Sequence, residues 1–265
     1  MINKRYNRSV SRLAQRNNKL KKVKIGIALI IPVIFLLGLS YVSKLPSLQV
    51  SSVEVSGEKS IAKDDITNAI LESISGNKLF IFPRTNIFLI NESVIATVLA
   101  SEFPRIENVN VEKNANGVLK VEIKERDTIA IWCNESSCFL LDSMGLLYSK
   151  VNNDLESFGK IIFRGAIEGE PLRKYFQDEF RINFYLEAVA LLKSKDIKAS
   201  SINIQSVDKG VIETNIGNIF IDPNTKELLE SIENALLVIE DIKSKNSQIK
   251  FDYIDTRFGN KIFYK

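Results

Sequence analysis

An uninterrupted apolar stretch near the start of the chain limits the possible folds more than any other feature. Residues 25–42, IGIALIIPVIFLLGLSYV, contain no charged side chain, and Lys24 and Lys44 flank them. A helix of this length approaches the roughly 30 Å of a bilayer's hydrocarbon core. A cleaved secretory signal would have a shorter apolar core and a cleavage site with small side chains, which residues 40–42 do not supply. We therefore predict a transmembrane helix over residues 25–43.

The residues before this stretch concentrate positive charge. Residues 1–24 contain nine Lys and Arg side chains and no acidic one, so removing those nine from the formal net charge of +4 leaves −5 for the rest. Such an arm can bind nucleic acid, but Tyr6 is its only aromatic side chain. The positive-inside rule explains it more simply. We predict a cytoplasmic arm, a type II single-pass orientation in the plasma (inner) membrane, and most of the mass outside the cytoplasm.

One strand pattern and two helix patterns follow the span. Apolar and polar residues alternate over residues 48–57, which predicts a half-buried strand. We expect Ser60 to cap a helix over residues 61–74, and Asn91 to cap a second helix that Pro104 ends. The apolar residues between these helices are interrupted by a proline, which predicts a packed connector.

A hairpin is the next predicted element. Two alternating runs, RIENVNVEK and GVLKVEIKER, are separated by NANG. Asn and Gly supply the positive φ values that a tight turn needs. The order strand, helix, helix, strand, strand predicts a small sheet with both helices on one face.

The rest of the chain is predicted to form short strands and two long helices. The predicted elements are two or three strands within 128–150 with turns at 134–137 and 142–145, a strand at 160–165, a helix at 179–195, a three-strand meander at 201–222, a helix at 225–244 capped by Asn224 or Thr225, and a strand within 250–265. The predicted core face of the first helix is Phe180, Phe184, Ala188, Leu191 and Leu192. The fold class is therefore α+β, with a mixed β part made of a meander sheet and packing helices.

The composition argues against an enzyme. The chain has no His, which removes the commonest general base, the Ser-His and Cys-His pairs and the commonest metal ligand. A Ser-Lys hydrolase using Ser143 or Ser149 is a weak alternative, since lysines lie nearby by chance in a Lys-rich chain. No phosphate-binding loop or dinucleotide fingerprint is present in the sequence. We predict no catalytic residue, no metal or cofactor site and no small-molecule substrate.

Two cysteines and two aspartates have structural explanations. Cys133 and Cys138 are predicted to lie on facing strands of one hairpin, where a disulfide and a pair of free thiols both remain open. Asp142 occupies a turn position, and Asp255 is expected to pair with Arg257 or a neighbouring strand. Trp132 lies in an apolar strand and is predicted to belong to the core.

The order of these patterns resembles a known family. The basic arm and the span precede VSSVEVSG, FPRIENVNVEK and VLKVEIKER, and then come ERDTIAIW, LLDSMGLLY and finally YIDTRF. This order is similar to that of the FtsQ/DivIB family of bacterial cell-division proteins. The resemblance implies a POTRA domain at residues 48–125 and a β domain at residues 126–265.

The resemblance also implies a function. Proteins of this family are non-enzymatic scaffolds of the divisome at the septum, and they bind a complex of the bitopic proteins FtsB (DivIC) and FtsL. The partner adds a strand to the end of the β domain. The matching positions are Phe258, then Gly259 and Asn260 in a turn, and Lys261, Ile262, Phe263 and Tyr264 in the last strand. A second docking surface is expected at the POTRA edge strand near residues 50–55.

The backbone hydrogen bonding of edge strands indicates the same region, the end of the chain. An edge strand presents unpaired N–H and C=O groups, and residues 262–264 contain little that would prevent pairing. The alternative is an interior strand whose aromatic residues are core; the resemblance favours docking.

A different function, a POTRA-containing envelope assembly or secretion factor that binds client polypeptides, also fits the sequence.

Overall fold

The computed structural model describes residues 2–151, 159–245, 250–259 and 261–265, with side chains described from residue 21 onward. The chain divides into two compact units, which are described separately. The first comprises Met1–Glu102 and Asn108–Lys124, and the second comprises Phe103–Glu107 and Glu125–Lys265.

A long helix, α1 (Ile2–Ser43), opens the first unit. Within it, Lys21–Ser43 is long and apolar enough to cross a membrane, and among the described residues no other helix is. Its large apolar side chains, such as Leu29 and Phe35, are exposed, as contact with lipid requires. The predicted helix over the apolar stretch is therefore present. A single 3-10 turn, Pro46–Leu48, follows it.

The remainder of the first unit is a small sheet with two helices. Its elements are β1 (Ser52–Ser56), α2 (Lys63–Ser73), β2 (Asn77–Lys78), β3 (Phe82–Pro83), α3 (Glu92–Glu102), β4 (Ile106–Lys113) and β5 (Val118–Glu125). The longer strands form a sheet in the order β1-β5-β4, in which β1 runs parallel to β5. β1 and β4 are therefore the edges. Ile66, Ile70 and Leu99 of the helices are fully buried, and the predicted order β-α-α-β-β is confirmed.

The predicted N-terminal cap is present at one of the two helices of this unit, α3, and not at α2. The Asn91 Oδ1 accepts a hydrogen bond from the Ser93 amide at 3.1 Å, as expected of a cap. α2, in contrast, has Ala62 at its N-cap position, so the predicted cap at Ser60 is wrong. α2 carries acidic residues in its first turn, and their charge stabilises a helix N-terminus without a side-chain cap.

The connector between α2 and α3 is only partly packed, contrary to the prediction. Ile87 and Ile90 are buried, but the tip between β2 and β3 exposes Leu79 and Phe80. The backbone at both tip residues has positive φ, at 51° and 63°. Apolar composition alone did not separate the buried half of this segment from the exposed half.

The second unit contains one large mixed sheet. Its elements are β6 (Ala130–Cys133), β7 (Cys138–Leu141), β8 (Leu147–Lys150), β9 (Ile162–Gly165), α4 (Glu179–Ser194), β10 (Ala199–Ser206), β11 (Lys209–Thr214), β12 (Gly217–Ile221), α5 (Leu228–Lys245), β13 (Tyr253–Phe258) and β14 (Lys261–Tyr264). The strand order is β14-β13-β12-β11-β10-β9-β6-β7-β8. The predicted meander is β10-β11-β12, and β9 and β13 join its two sides as parallel neighbours.

Both helices of this unit pack against one face of the sheet. The common core includes Ile232 and Ala235 of α5 together with Ile212 and Ile219 of the meander. The predicted core face of α4 is partly wrong. Ala188 and Leu192 are buried as predicted, but the other buried residues of α4 are Ile182 and Tyr185.

Phe184 and Leu191, which were also predicted to be core, are half-buried and pack against the core. Phe180 is exposed, contrary to the prediction, and stacks on Phe184 with ring centroids 5.7 Å apart. α4 has apolar residues around most of its circumference, so the crossover from β9 to β10, and not the sequence pattern, selects the buried face.

The β6-β7 hairpin answers the question left open for the cysteines. Cys133 and Cys138 face each other across the hairpin and form a disulfide, with Cα atoms 4.1 Å apart. Trp132 is buried in the core as predicted. The Asp142 Oδ1 accepts hydrogen bonds from the amides of Met144 and Leu146, and this confirms its role in the turn.

A glycine at the start of β12 makes the meander sensitive to substitution. Gly217 has a φ of +138°, and an added Cβ would overlap the carbonyl oxygen of Phe251. We expect Gly217→Ala to lower the free energy of unfolding by about 2 kcal/mol or more, through backbone strain and steric overlap. Urea denaturation followed by the fluorescence of Trp132, the sole tryptophan, measures it.

Gly159→Ala is the matched control for this prediction. Gly159 also has a positive φ, at 54°, but an added Cβ there would meet no atom of the described residues within 4 Å. It should cost about 1 kcal/mol, from the backbone conformation alone. Equal losses in the two variants would contradict the steric explanation.

Candidate protein-docking edge

The last hairpin of the chain forms one edge of the large sheet. β13 and β14 pair in antiparallel fashion, with Asp255 opposite Phe263 and Phe258 opposite Lys261. Gly259 has a φ of +60° in the connecting turn, a conformation that glycine adopts without strain. Asn260, the other predicted turn residue, lies outside the described residues.

One side of β14 has no strand partner among the described residues. The Lys265 amide donates to the Tyr253 carbonyl at 3.1 Å, so the backbone at Lys265 faces β13. Backbone groups of successive strand residues point to opposite sides. The backbone of Phe263 therefore also faces β13, whereas the N–H and C=O groups of Ile262 and Tyr264 point away from it.

The side chains of β14 divide between the two faces of the sheet. Ile262 is half-buried against the core on the helix side. The Tyr264 ring meets Phe251 edge to face at a centroid distance of 6.0 Å, yet 52% of Tyr264 is exposed. Phe263 lies on the opposite face and is 50% exposed. The strand is thus anchored by Ile262 and presents two aromatic side chains to solvent.

An ion pair on β13 orders the face that carries Phe263. Arg257 binds Asp255 in a bidentate manner, with Nε to Oδ1 at 2.9 Å and Nη2 to Oδ2 at 2.6 Å. Its guanidinium lies over the rings of Phe220 and Phe258, at 5.5 and 5.7 Å from their centroids. Phe258 meets Phe263 edge to face at 5.3 Å. The expected pairing of Asp255 with Arg257 is confirmed.

Phe220 packs against Tyr253 at a centroid distance of 5.6 Å and extends this cluster onto β12. We name Phe220, Tyr253, Arg257, Phe258 and Phe263 the aromatic patch. Because neighbouring strands supply its members, it forms one continuous surface beside the free edge of β14. Its contacts with arginine are typical of surfaces that bind protein.

The surroundings of Asp255 change its acidity. Burial alone would raise the pKa of Asp255, but hydrogen bonds from the Arg257 side chain and amide, with the guanidinium charge, outweigh burial and lower it. The same carboxylate raises the pKa of Arg257, so the pair stays ionised. Asp255 therefore holds Arg257 over the patch.

The structure brings the predicted site residues together. Phe258, Gly259, Lys261, Ile262, Phe263 and Tyr264 lie in one hairpin at the sheet edge. Sequence reasoning missed Phe220 and Tyr253. The alternation of β12 carried a signal, since Phe220 lies between two core isoleucines and must point to the opposite face. The pairing of β12 with β13 was not readable from the sequence.

A cleft elsewhere in this unit offers little to a ligand. It lies where β9 and β10 end, beside the start of α4. The Arg181 Nη1 donates to the Pro223 carbonyl at 2.6 Å, and the Tyr185 hydroxyl donates to the same oxygen at 3.2 Å. Burial raises the pKa of Tyr185, so its phenol stays protonated. These donors hold the loop at Pro223 and leave the β14 edge as the stronger candidate.

The fold and the edge define a class of protein: an α+β chain in which a candidate membrane span precedes a small β-α-α-β-β unit and a larger mixed-sheet unit with an open edge. Residues 48–126 match the family model of the POTRA domain, FtsQ-type. The match places a POTRA domain at these residues and is consistent with the resemblance to the FtsQ/DivIB family. A search of curated proteins found no match to the chain.

The Asp255–Arg257 ion pair predicts how the free energy of unfolding depends on pH. Because folding lowers the pKa of Asp255, its contribution to stability is present above the ordinary value of 3.8 and is lost as pH falls through the folded value. We expect Asp255→Asn to lower the free energy of unfolding by about 2 kcal/mol at neutral pH, since Arg257 loses a charged partner. The difference from the unsubstituted protein should shrink below pH 3.8. Urea denaturation at several pH values measures it.

Asp252→Asn is the matched control. Asp252 pairs with Lys265 at 3.4 Å, and both side chains are exposed. A surface pair of this kind contributes at most about 1 kcal/mol. A pH-independent loss in Asp255→Asn, or an equal loss in Asp252→Asn, would contradict the account.

Proposed function

We propose that this protein is a non-enzymatic, membrane-anchored scaffold of the bacterial divisome. In this proposal it links early division proteins to septal peptidoglycan synthesis by binding an FtsB(DivIC)/FtsL-type complex at the septum. The observation that carries the proposal is the outer edge of β14, which no other described strand covers, on a chain whose residues 48–126 match an FtsQ-type POTRA domain.

The edge suits a partner that adds a strand. Ile262 and Tyr264 each direct one N–H and one C=O away from β13. An added strand would satisfy these groups and take affinity from the backbone bonds. The exposed rings of Phe263 and Tyr264 would select the partner's side chains on the two faces.

The charges beside the edge favour one kind of partner strand. Lys261 is exposed at the start of β14, whereas Lys265, after its end, already pairs with Asp252. A partner strand with an acidic residue near Lys261 and apolar residues beyond it would complement β14. The aromatic patch would extend the contact to residues that flank the added strand.

The first unit fits the same scaffold function. β1 is an edge of its sheet, and Val53 within it is half-buried. We propose this edge as a second docking surface for another division protein. Anchoring by α1 would keep both surfaces at the membrane where septal synthesis occurs.

Two substitutions at one position test the docking edge. Tyr264→Pro and Tyr264→Val both remove the ring, but only proline removes the outward N–H. We expect Tyr264→Pro to weaken capture of the co-expressed FtsB(DivIC)/FtsL-type complex about tenfold more than Tyr264→Val, through loss of a backbone hydrogen bond. Co-purification from membranes at matched expression measures the difference.

The two variants should remain equally folded, because an edge strand tolerates proline where its N–H faces solvent. Thermal unfolding of both checks this condition. As fluorescent fusions in dividing cells, the valine variant should form a midcell band more readily than the proline variant. Equal capture by both folded variants, or uniform envelope fluorescence of the unsubstituted protein together with binding of unfolded client chains, would contradict the proposal.

A further inference from the structure

The tip of the β2-β3 hairpin is unusually apolar and exposed. Phe80 is 96% exposed and Leu79 is 74% exposed. Both have positive φ, which is costly for side chains with a Cβ. Two large apolar residues held in water by a strained backbone need a compensating contact.

Hydrogen bonds place this hairpin beside the last turns of the membrane helix. The Asn86 Nδ2 donates to the Ser43 carbonyl at 2.9 Å, and the Ser40 hydroxyl donates to the Ile81 carbonyl at 2.8 Å. From Asn86 back to Ile81, the chain therefore runs along α1 from the level of Ser43 to the level of Ser40. Ser40 and Ser43 are both buried by these contacts.

The direction of this run brings the tip to the level of the bilayer. Ser40 belongs to the uncharged stretch of residues 25–42. At 1.5 Å per helical residue it lies about 4.5 Å closer to the membrane centre than Ser43. Leu79 and Phe80 adjoin Ile81, so they lie at the depth where α1 leaves the hydrocarbon core.

Neighbouring residues have the chemistry of a membrane interface. Tyr41 on α1 is exposed at the same level, and tyrosines concentrate where helices leave a bilayer. Lys78 and Arg84 flank the tip, and no acidic residue lies between Glu72 and Glu92. Apolar side chains beside cations are typical of segments that lie in the headgroup region.

We propose that the β2-β3 hairpin inserts Leu79 and Phe80 into the extracytoplasmic leaflet next to α1. The lipid at this depth is continuous with the lipid around the span, so it is the occupant that the position of the tip favours over a protein. The hairpin then forms a second membrane contact. Together with α1 it fixes the rotation of the first unit about the helix axis, and this inference does not depend on the proposed partner complex.

Quenching by brominated lipid tests this insertion in the full chain. Phe80→Trp is reconstituted, one chain per nanodisc, in phosphatidylcholine and phosphatidylglycerol whose acyl chains carry bromine near the headgroup. The spectrum of the unsubstituted protein is subtracted to remove Trp132. We expect about twofold quenching of the new tryptophan relative to unbrominated lipid, because interfacial side chains enter the headgroup–acyl boundary. Its emission should also be blue-shifted and protected from iodide.

Ser56→Trp is the control within the same unit. Ser56 is exposed at the end of β1, and β1 follows α1. This tryptophan should be quenched by iodide and not by brominated lipid. Leu79→Trp repeats the measurement if Phe80→Trp does not fold.

If the tryptophan of Phe80→Trp emits at the wavelength of a solvent-exposed indole and is not quenched by brominated lipid, the inference is overturned, and a protein partner becomes the occupant to test. Equal lipid quenching at positions 56 and 80 would also overturn it, because the whole unit would then lie on the bilayer.

Discussion

Backbone hydrogen bonding in the mixed sheet is the constraint on which the second unit depends. Each inner strand is paired with a neighbour on both sides, and β14 is paired only with β13 among the described residues. An open edge is normally a liability that proteins shield. Here Ile262 anchors the strand to the core, and the outer side of the strand has no strand partner in the described part of the chain. The same feature that leaves the sheet incomplete supplies the means to bind a strand.

The ion pair of β13 links this edge to the sheet face. Asp255 is buried and uses its two oxygens to hold Arg257. Arg257 in turn lies between Phe220 and Phe258. The aromatic patch is therefore ordered before any partner arrives, which reduces the conformational entropy lost on binding. The proposed insertion of the β2-β3 hairpin would likewise fix the orientation of the first unit at the bilayer.

Local sequence patterns predicted the helices, strands and turns, whereas tertiary contacts determine which faces are buried and how distant strands pair. The NANG hairpin, the Asn91 cap and the meander follow from turn chemistry and alternation. The buried face of α4 could not be predicted in this way. The helix is apolar on several sides, and the crossover from β9 to β10 decides which side faces the core. The last hairpin was predicted, but its place at the sheet edge and the contribution of Phe220 depend on pairing between strands far apart in sequence. The cysteine spacing allowed either redox state, and the geometry of the hairpin determined the disulfide.

Amide hydrogen exchange in β14 tests the central claim most directly. The full chain is compared with and without a bound FtsB(DivIC)/FtsL-type complex, and exchange is resolved for each residue. The account predicts that the amides of Ile262 and Tyr264 become protected on binding, whereas the amide of Phe263, which faces β13, changes little. Unchanged exchange at Ile262 and Tyr264 in a complex that forms normally would contradict it.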